Sequence, residues 1–491
     1  MSVTSDREAA RVALALVLLS SLATTAGEAV FEPRAGPETW SQDAGSFPSA
    51  PLVTGVADAG TADARTDGSA PPLPPKRPFP DYEGRDREST ATEDTLLFVP
   101  RALLYPVYLV NEYAVAMPVG AVATTAERND WPKAIHDALT FGPNHEAGIY
   151  PTFLVDFGLR PSIGLHVFWG FPAVGNRVSL DAAWGGSQWY AVAVADRQDF
   201  SPHESLVTEF RWDRRPDNPY YGIGPEASDG LRSRVGTDVL EGSLTWSRVL
   251  GPTTLRARGM VRRVGFKDFT CCGDPALRQR VERGEVPPPP GYEQPYTPAT
   301  LELAAVLDTR RPKSRNQSGW RVAIGAAPSI DLQRGGQLSW LRYGGAVEAN
   351  WDVTGNGRVV SLGLITAFVN PLGSDPVPFT ELVMLGGNEP FTGYLPGRVR
   401  DGSAVVAQLG WHWPVFSYLD GVLGVSFGNV FGKHLEGFDF NLLRLSAEMG
   451  LRTRGMGGTQ FEFVLGIGTE PFREHLRLSS FRLAFGVSYG P

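Results

Sequence analysis

The chain reads as an all-β membrane protein: a 16-stranded antiparallel transmembrane β-barrel preceded by a disordered Pro-rich linker and short N-terminal helices. Three observations predict it. Segments of strand length alternate large apolar residues with small or polar ones. The alternation recurs about sixteen times through the C-terminal two thirds, an even number, as a closed bacterial barrel requires. The connections between segments alternate long and short, as they do in barrels that cross an outer membrane.

At the N-terminus, Arg7 and Arg11 flank an apolar stretch over residues 12–22, followed by Thr24-Thr25-Ala26 or Gly27-Glu28-Ala29 as a small-residue cleavage site. This is the pattern of a secretory signal peptide, placed at residues 1–26. The alternative is a membrane anchor, but the apolar run is short of the roughly 20 residues that span a bilayer. Residues 27–94 are rich in Pro, Gly, Ala and acidic groups, with Pro71-Pro72-Leu73-Pro74-Pro75 at the centre and no apolar period. They predict a disordered periplasmic linker. Over residues 95–145, Leu103, Leu104, Val107, Leu109 and Val110 gather, but Arg101, Pro106, Glu112 and Pro118 interrupt them. Short periplasmic amphipathic helices lying on the barrel mouth or membrane surface are expected there, with a soluble helical hairpin as the alternative.

The barrel is predicted over residues 146–491. Phe481, Leu483, Phe485, Val487 and Tyr489 share one face of the last segment, and Arg482, Ala484, Gly486 and Ser488 share the other. Leu301, Leu303 and Leu307 likewise oppose Glu302 and Asp308, and Leu445, Ala447, Met449 and Leu451 oppose Arg444, Ser446, Glu448, Gly450 and Arg452. A soluble sandwich core would reject the second face, whereas a water-filled lumen accepts it. Strand centres fall near residues 153, 166, 181, 192, 209, 241, 258, 304, 323, 346, 364, 409, 425, 447, 463 and 484. Aromatics such as Trp184, Trp212, Trp246, Trp320, Trp351 and Trp411 lie near strand ends, where the headgroup level favours amphipathic rings. With both termini in the periplasm, the long connections at about 214–232, 268–298 and 371–401 follow odd-numbered strands and face outward. Even-numbered connections such as Gly251-Pro252 and Gly355-Asn356-Gly357 are tight.

A formal net charge of −8 and a pI near 5.5 speak against a nucleic-acid binder. The two cysteines, Cys271 and Cys272, are adjacent and cannot staple distant segments; they read as an oxidised or free pair in a surface loop. No metal, cofactor or catalytic site is expected. His136, His145, His166, His203, His412, His434 and His475 are scattered, without a His-Glu-x-x-His pair or a Gly-x-Ser-x-Gly elbow. Glu209, Arg211, Arg321, Arg444, Glu448, Arg452 and Glu462 read as a solvated, salt-bridged inner wall, with ion selectivity as the alternative.

Three stretches carry a resemblance. They are Tyr220-Tyr221-Gly222-Ile223-Gly224-Pro225 in the third outer loop, Leu385-Gly386-Gly387 with Phe391-Thr392-Gly393-Tyr394 and Arg398-Val399-Arg400-Asp401 in the sixth, and Trp413-Pro414-Val415 with Gly428-Asn429-Val430-Phe431. In order and spacing, over about 148–491, the chain resembles the BamA/TamA-like outer-membrane barrels, the bacterial surface antigen family. The resemblance implies a sixth loop folded back into the lumen, its Arg-Gly-aromatic tip meeting an acidic residue on the wall. In this chain Thr392 stands where that arginine would be. Gly410 and His412 on strand twelve, and Ser426 on strand thirteen, stand where the charged wall partners sit.

Losing both signs together avoids an unpaired buried charge. Thr392 and Ser426 would then replace the ion pair with neutral hydrogen bonds. The loop is expected to tuck inward all the same, using Arg398, Arg400 and Asp401. Phe485, Val487 and Tyr489 resemble the C-terminal signal read by the barrel-assembly machinery. The region before the barrel resembles the subgroup without periplasmic POTRA domains.

The resemblance further implies residence in the bacterial outer membrane and partners in its lipid, the assembly machinery and unfolded outer-membrane or secreted proteins. It implies a role in protein insertion or export, through a weak seam between first and last strands that Gly466, Gly468 and Gly486 would thin. The alternative function is a passive pore or structural barrel without translocation activity.

Overall fold

The computed structural model describes residue 125 and residues 129–489, apart from 143, 172–174, 270, 311–317, 354, 356, 388–389, 417–418 and 454–458. The expected signal peptide, the expected linker and most of the expected helical stretch before residue 129 lie outside the described residues. Within them, helix α1 (Trp131–Leu139) leads into a two-residue strand, Thr140–Phe141. No helix among the described residues is long and apolar enough to cross a membrane.

Sixteen long strands follow. They are β1 (Ala147–Asp156), β2 (Ser162–Phe171), β3 (Asn176–Trp184), β4 (Tyr190–Ser201), β5 (Glu204–Tyr220), β6 (Ser233–Leu250), β7 (Thr253–Lys267) and β8 (Pro298–Asp308). The second half comprises β9 (Gly319–Asp331), β10 (Gly335–Asp352), β11 (Val359–Pro371), β12 (Ser403–Phe416), β13 (Leu419–Phe431), β14 (Arg444–Thr453), β15 (Thr459–Thr469) and β16 (Leu478–Tyr489). Each pairs antiparallel with the next, and β16 returns to β1, so the sheet is a closed barrel. Every strand centre read from the sequence falls inside one of these strands. Closure leaves no long row of unpaired backbone groups in lipid, where each such group would be costly.

The pleat sends alternate residues to opposite faces. Leu303, Ile324, Leu364, Leu409 and Leu423 are exposed on the outside, while Glu302, Ser426, Arg444 and Arg482, on the opposite face of the sheet, are buried within. Trp320 and Trp351 meet edge to face near the ends of β9 and β10, as the girdle reading requires. The inner wall carries ion pairs such as Arg452 with Glu462 at 2.9 Å and Arg258 with Glu241 at 2.5 Å.

Three details depart from the sequence reading. β5 and β6 stay paired as far as Tyr220 with Ser233, so the third connection spans 221–232 rather than 214–232. The hairpin outruns the apolar stripe there, and charged residues such as Arg214 and Asp238 hold it by a cross-strand ion pair. Connection lengths alternate imperfectly, since β9 joins β10 through 332–334 alone and β8 joins β9 through 309–318. Finally, the lumen is not simply water-filled. Loop six (372–402) enters it and builds a small β-ribbon, Val383–Leu385 paired with Val399–Asp401. Phe379, Phe391, Tyr394 and Val399 pack there against the inward side chains of Trp340, Val406 and Val430. Those inward apolar positions break the polar-lumen rule because they face protein.

Candidate functional site

The β16–β1 seam is the shortest ladder of the barrel among the described residues. Its ladder pairs Ala484 with Asp156, Phe485 with Val155, Gly486 with Leu154 and Val487 with Phe153, and Phe157 N–H adds one bond to the Leu483 carbonyl at 3.0 Å. On its other side, β16 pairs with β15 from Thr459–Tyr489 to Thr469–Leu478. Phe153 and Phe485 touch edge to face across the outside of the seam, with ring centroids 6.1 Å apart.

On the inside sits a buried charge pair. Arg482 of β16 donates from Nε to Asp156 of β1 at 3.1 Å and from Nη2 at 2.9 Å. Its remaining terminal nitrogen, Nη1, donates to the carbonyls of Gly387 and Thr392 in loop six. One guanidinium therefore ties together both sides of the seam and the plug. Its planar fork suits that task, because it offers five N–H donors in fixed directions.

The loop-six tip rests on β14 and β15. Gly393 N–H donates to Ser446 Oγ at 2.9 Å, and the Tyr394 hydroxyl donates to the Leu445 carbonyl at 2.8 Å. Thr469 N–H donates to the same hydroxyl at 2.8 Å. The approach is backbone to backbone: a Cβ on Gly466 would lie 2.7 Å from Gly393 Cα, and one on Gly393 would overlap the Ile467 carbonyl. The Tyr394 ring covers Gly468 in the same way. Gly466 and Gly468 thus make a cradle for the tip, and of the three glycines read as thinning the seam only Gly486 lies in its ladder.

Above the tip, the three sequence stretches converge. Arg398 stacks over Tyr221 at 4.8 Å and donates to Glu470 at 3.0 Å. Arg444 donates to the other oxygen of Glu470 at 2.7 Å and to the carbonyls of Pro225 and Ala227. Arg400 donates to the Pro219 carbonyl at 2.9 Å with its guanidinium over Tyr220, and its own carbonyl accepts from Gly224 N–H. Asn429 of β13 donates to Pro225 and Leu442 carbonyls. Asp401 Oδ1 accepts from Gly402 N–H, closing the ribbon's turn into β12.

Loop six does tuck inward, with Arg398 and Arg400 buried, but the means differ from the expectation. Among the described residues the Thr392 hydroxyl makes no hydrogen bond; it is the Thr392 carbonyl that accepts, and the donor is Arg482. The bonds described for the tip come from Ser446 and Leu445 on β14, Thr469 on β15 and Arg482 on β16, while Gly410 and His412 lie on β12 and Ser426 on β13. The charge has moved from the loop to the wall. Asp156 and Arg482 were missed because each is a single charged residue on a lumen face, and nothing in either strand says that the two faces meet. Phe485 and Val487, read from the sequence as part of a C-terminal signal, lie in the seam ladder, and Tyr489 pairs through its backbone with Thr459. Cys271 and Cys272 form a disulfide in the connection between β7 and β8.

At the other end of the seam, α1 and Thr140–Phe141 fold back on β1. Thr140 pairs with Gly148 and Phe141 with Ala147. The Tyr150 hydroxyl bonds His136 Nδ1 at 3.0 Å, and Thr140 Oγ1 bonds His145 Nδ1 at 2.6 Å. Burial, then the neighbouring His145, hold His136 below its ordinary 6.5, with Asp137 pulling the other way. A depressed histidine favours the docked form when neutral, so its contribution to docking should be full above about 6.5 and lost as the pH falls through the lowered value. A spin label at Ala134→Cys, with Cys271→Ser and Cys272→Ser, should gain mobility on that descent. Unchanged mobility would sink the expectation.

These features define a closed transmembrane β-barrel of sixteen strands whose lumen holds its own sixth loop and whose seam is short. No protein-family model and no curated protein matches the chain. Solved structures similar to it include BamA from Haemophilus ducreyi lacking POTRA domains 1-3, at 13% identity and TM-score 0.49 with 70% of each chain covered. CdiB from Acinetobacter baumannii follows at 11% identity and TM-score 0.44, with 70% of this chain and 60% of that one covered. CdiB from Escherichia coli gives 12%, 0.45, 70% and 63%. The chain thus spans less than two thirds of either CdiB. The class itself rests on the strand pairings described above.

Proposed function

We propose that this chain resides in the bacterial outer membrane and takes part in inserting or exporting polypeptides there, with the β16–β1 seam as its working element. The observation that carries the reading is Arg482, which couples the shortest ladder of the barrel to the position of loop six. Parting two strands in lipid exposes backbone groups that must find partners. A short ladder lowers that cost, and an incoming strand supplies the partners. Release of the loop from Arg482 and parting of the seam would then be linked events. The reading includes no catalytic step. A standing passive pore is less well supported, because loop six fills the lumen with a packed apolar cluster.

Quantitative proteomics of the outer membrane after depletion, with total expression as control, tests this. Selective loss of other barrels or of secreted proteins is the expected result. An unchanged outer membrane would return the weight to a pore or structural barrel.

A further inference from the structure

β1 is bonded to β2 along one edge from Ala147 to Leu154. Its other edge has two occupants. β16 takes positions 153–156, and the N-terminal Thr140–Phe141 takes Gly148 and Ala147. A strand has only two edges, and Gly148 already pairs with Phe168 of β2, so Thr140–Phe141 must lie on the seam side. Between the two occupants, neither ladder reaches Ile149, Pro151 or Thr152 among the described residues. Pro151 fits this placement, since a proline in a sheet belongs where no neighbour needs its missing N–H.

We infer that the α1–Thr140–Phe141 segment is a self-occluding strap: it blocks the seam-side edge of β1 and must leave before an extended polypeptide strand can pair there. The inference rests on the proposed function above and adds its regulation. Unpaired strand edges are templates for any passing strand, and proteins cover them. The strap shows the cover in place and shows that this edge accepts an antiparallel strand. Its hold is slight: two paired residues, the Tyr150–His136 bond, and the Leu139 side chain packed on Tyr150 and Phe168. Gly148 gives the helix end its room, because a Cβ there would lie 3.2 Å from the Leu139 carbonyl and 2.5 Å from the Phe168 ring. Trp131 and Ile135 of α1 are exposed, and the strap's further contacts, Thr140 with His145 and Asp137 with His145, are made to the turn that precedes β1. The strand that replaces it would set apolar residues beside exposed Ile149 and small or polar ones beside inward-facing Tyr150 and Thr152.

The test locks the strap. With Cys271→Ser and Cys272→Ser, the paired positions Phe141→Cys and Ala147→Cys join it to β1 when oxidised and release it when reduced. The two forms share one sequence and one fold. The probe is a synthetic peptide with the sequence of residues 481–489, carrying a photo-crosslinker, added to purified full-length protein in detergent micelles. Crosslinks to residues 147–152 in the reduced form that fall to background in the oxidised form are the expected result. Equal labelling in both forms, or none in either, overturns the inference. The readout is independent of the depletion proteome: gated labelling beside an unchanged outer membrane would keep the strap and remove the assembly role, and the reverse pattern would do the opposite.

Discussion

Arg482→Met should part the seam and free loop six in one step. The substitution leaves Asp156 buried without its partner, and removing one member of a buried pair typically costs about 3–5 kcal/mol. It also strips the Gly387 and Thr392 carbonyls of their donor. The folded barrel should therefore lose its compact migration at a lower temperature on unboiled gels, and an external protease should cut loop six in intact cells. Asp156→Asn removes the charge but keeps an acceptor, so its effect on the loop should be smaller. Arg482→Asp combined with Asp156→Arg separates the two functions. It restores the seam pair and leaves the loop carbonyls unserved, so the double variant should recover thermal resistance while loop six stays cleavable. Recovery of both together would show that the loop does not depend on Arg482.

Gly393→Val should expel the loop-six tip from its cradle. The new Cβ would overlap the Ile467 carbonyl, which is ladder backbone and cannot turn aside as a side chain would. Overpacking a tight core commonly costs about 1–3 kcal/mol. Here the tip has the easier course of leaving, with loss of the Gly393–Ser446 and Tyr394–Leu445 bonds. Planar-bilayer recordings should then show larger and more frequent conductance steps than the parent protein. Gly259→Ala is the control, since its added Cβ would meet open space. Equal conductance in Gly393→Val and the parent would mean that the tip does not close the lumen.

The sequence by itself determined the barrel: which residues face lipid, how many strands there are and where their centres fall. Those properties follow from a period of two along each strand, and a period is local. Charged residues on the inner face, such as Glu302, Arg444 and Arg482, were legible as lumen residues for the same reason. That Arg398 and Arg400 tuck inward was also reached, though through a resemblance. Partnership across the molecule was decided only by the tertiary structure. Asp156 and Arg482 stand at opposite ends of the barrel sequence and meet because closure makes first and last strands neighbours. Gly466 and Gly468 look like ladder-thinning residues until loop six arrives from between β11 and β12 to lie on them. The sequence shows that a strand has a wet face, but what that face touches depends on the curvature that closes the sheet and on the path of a loop through the space it encloses.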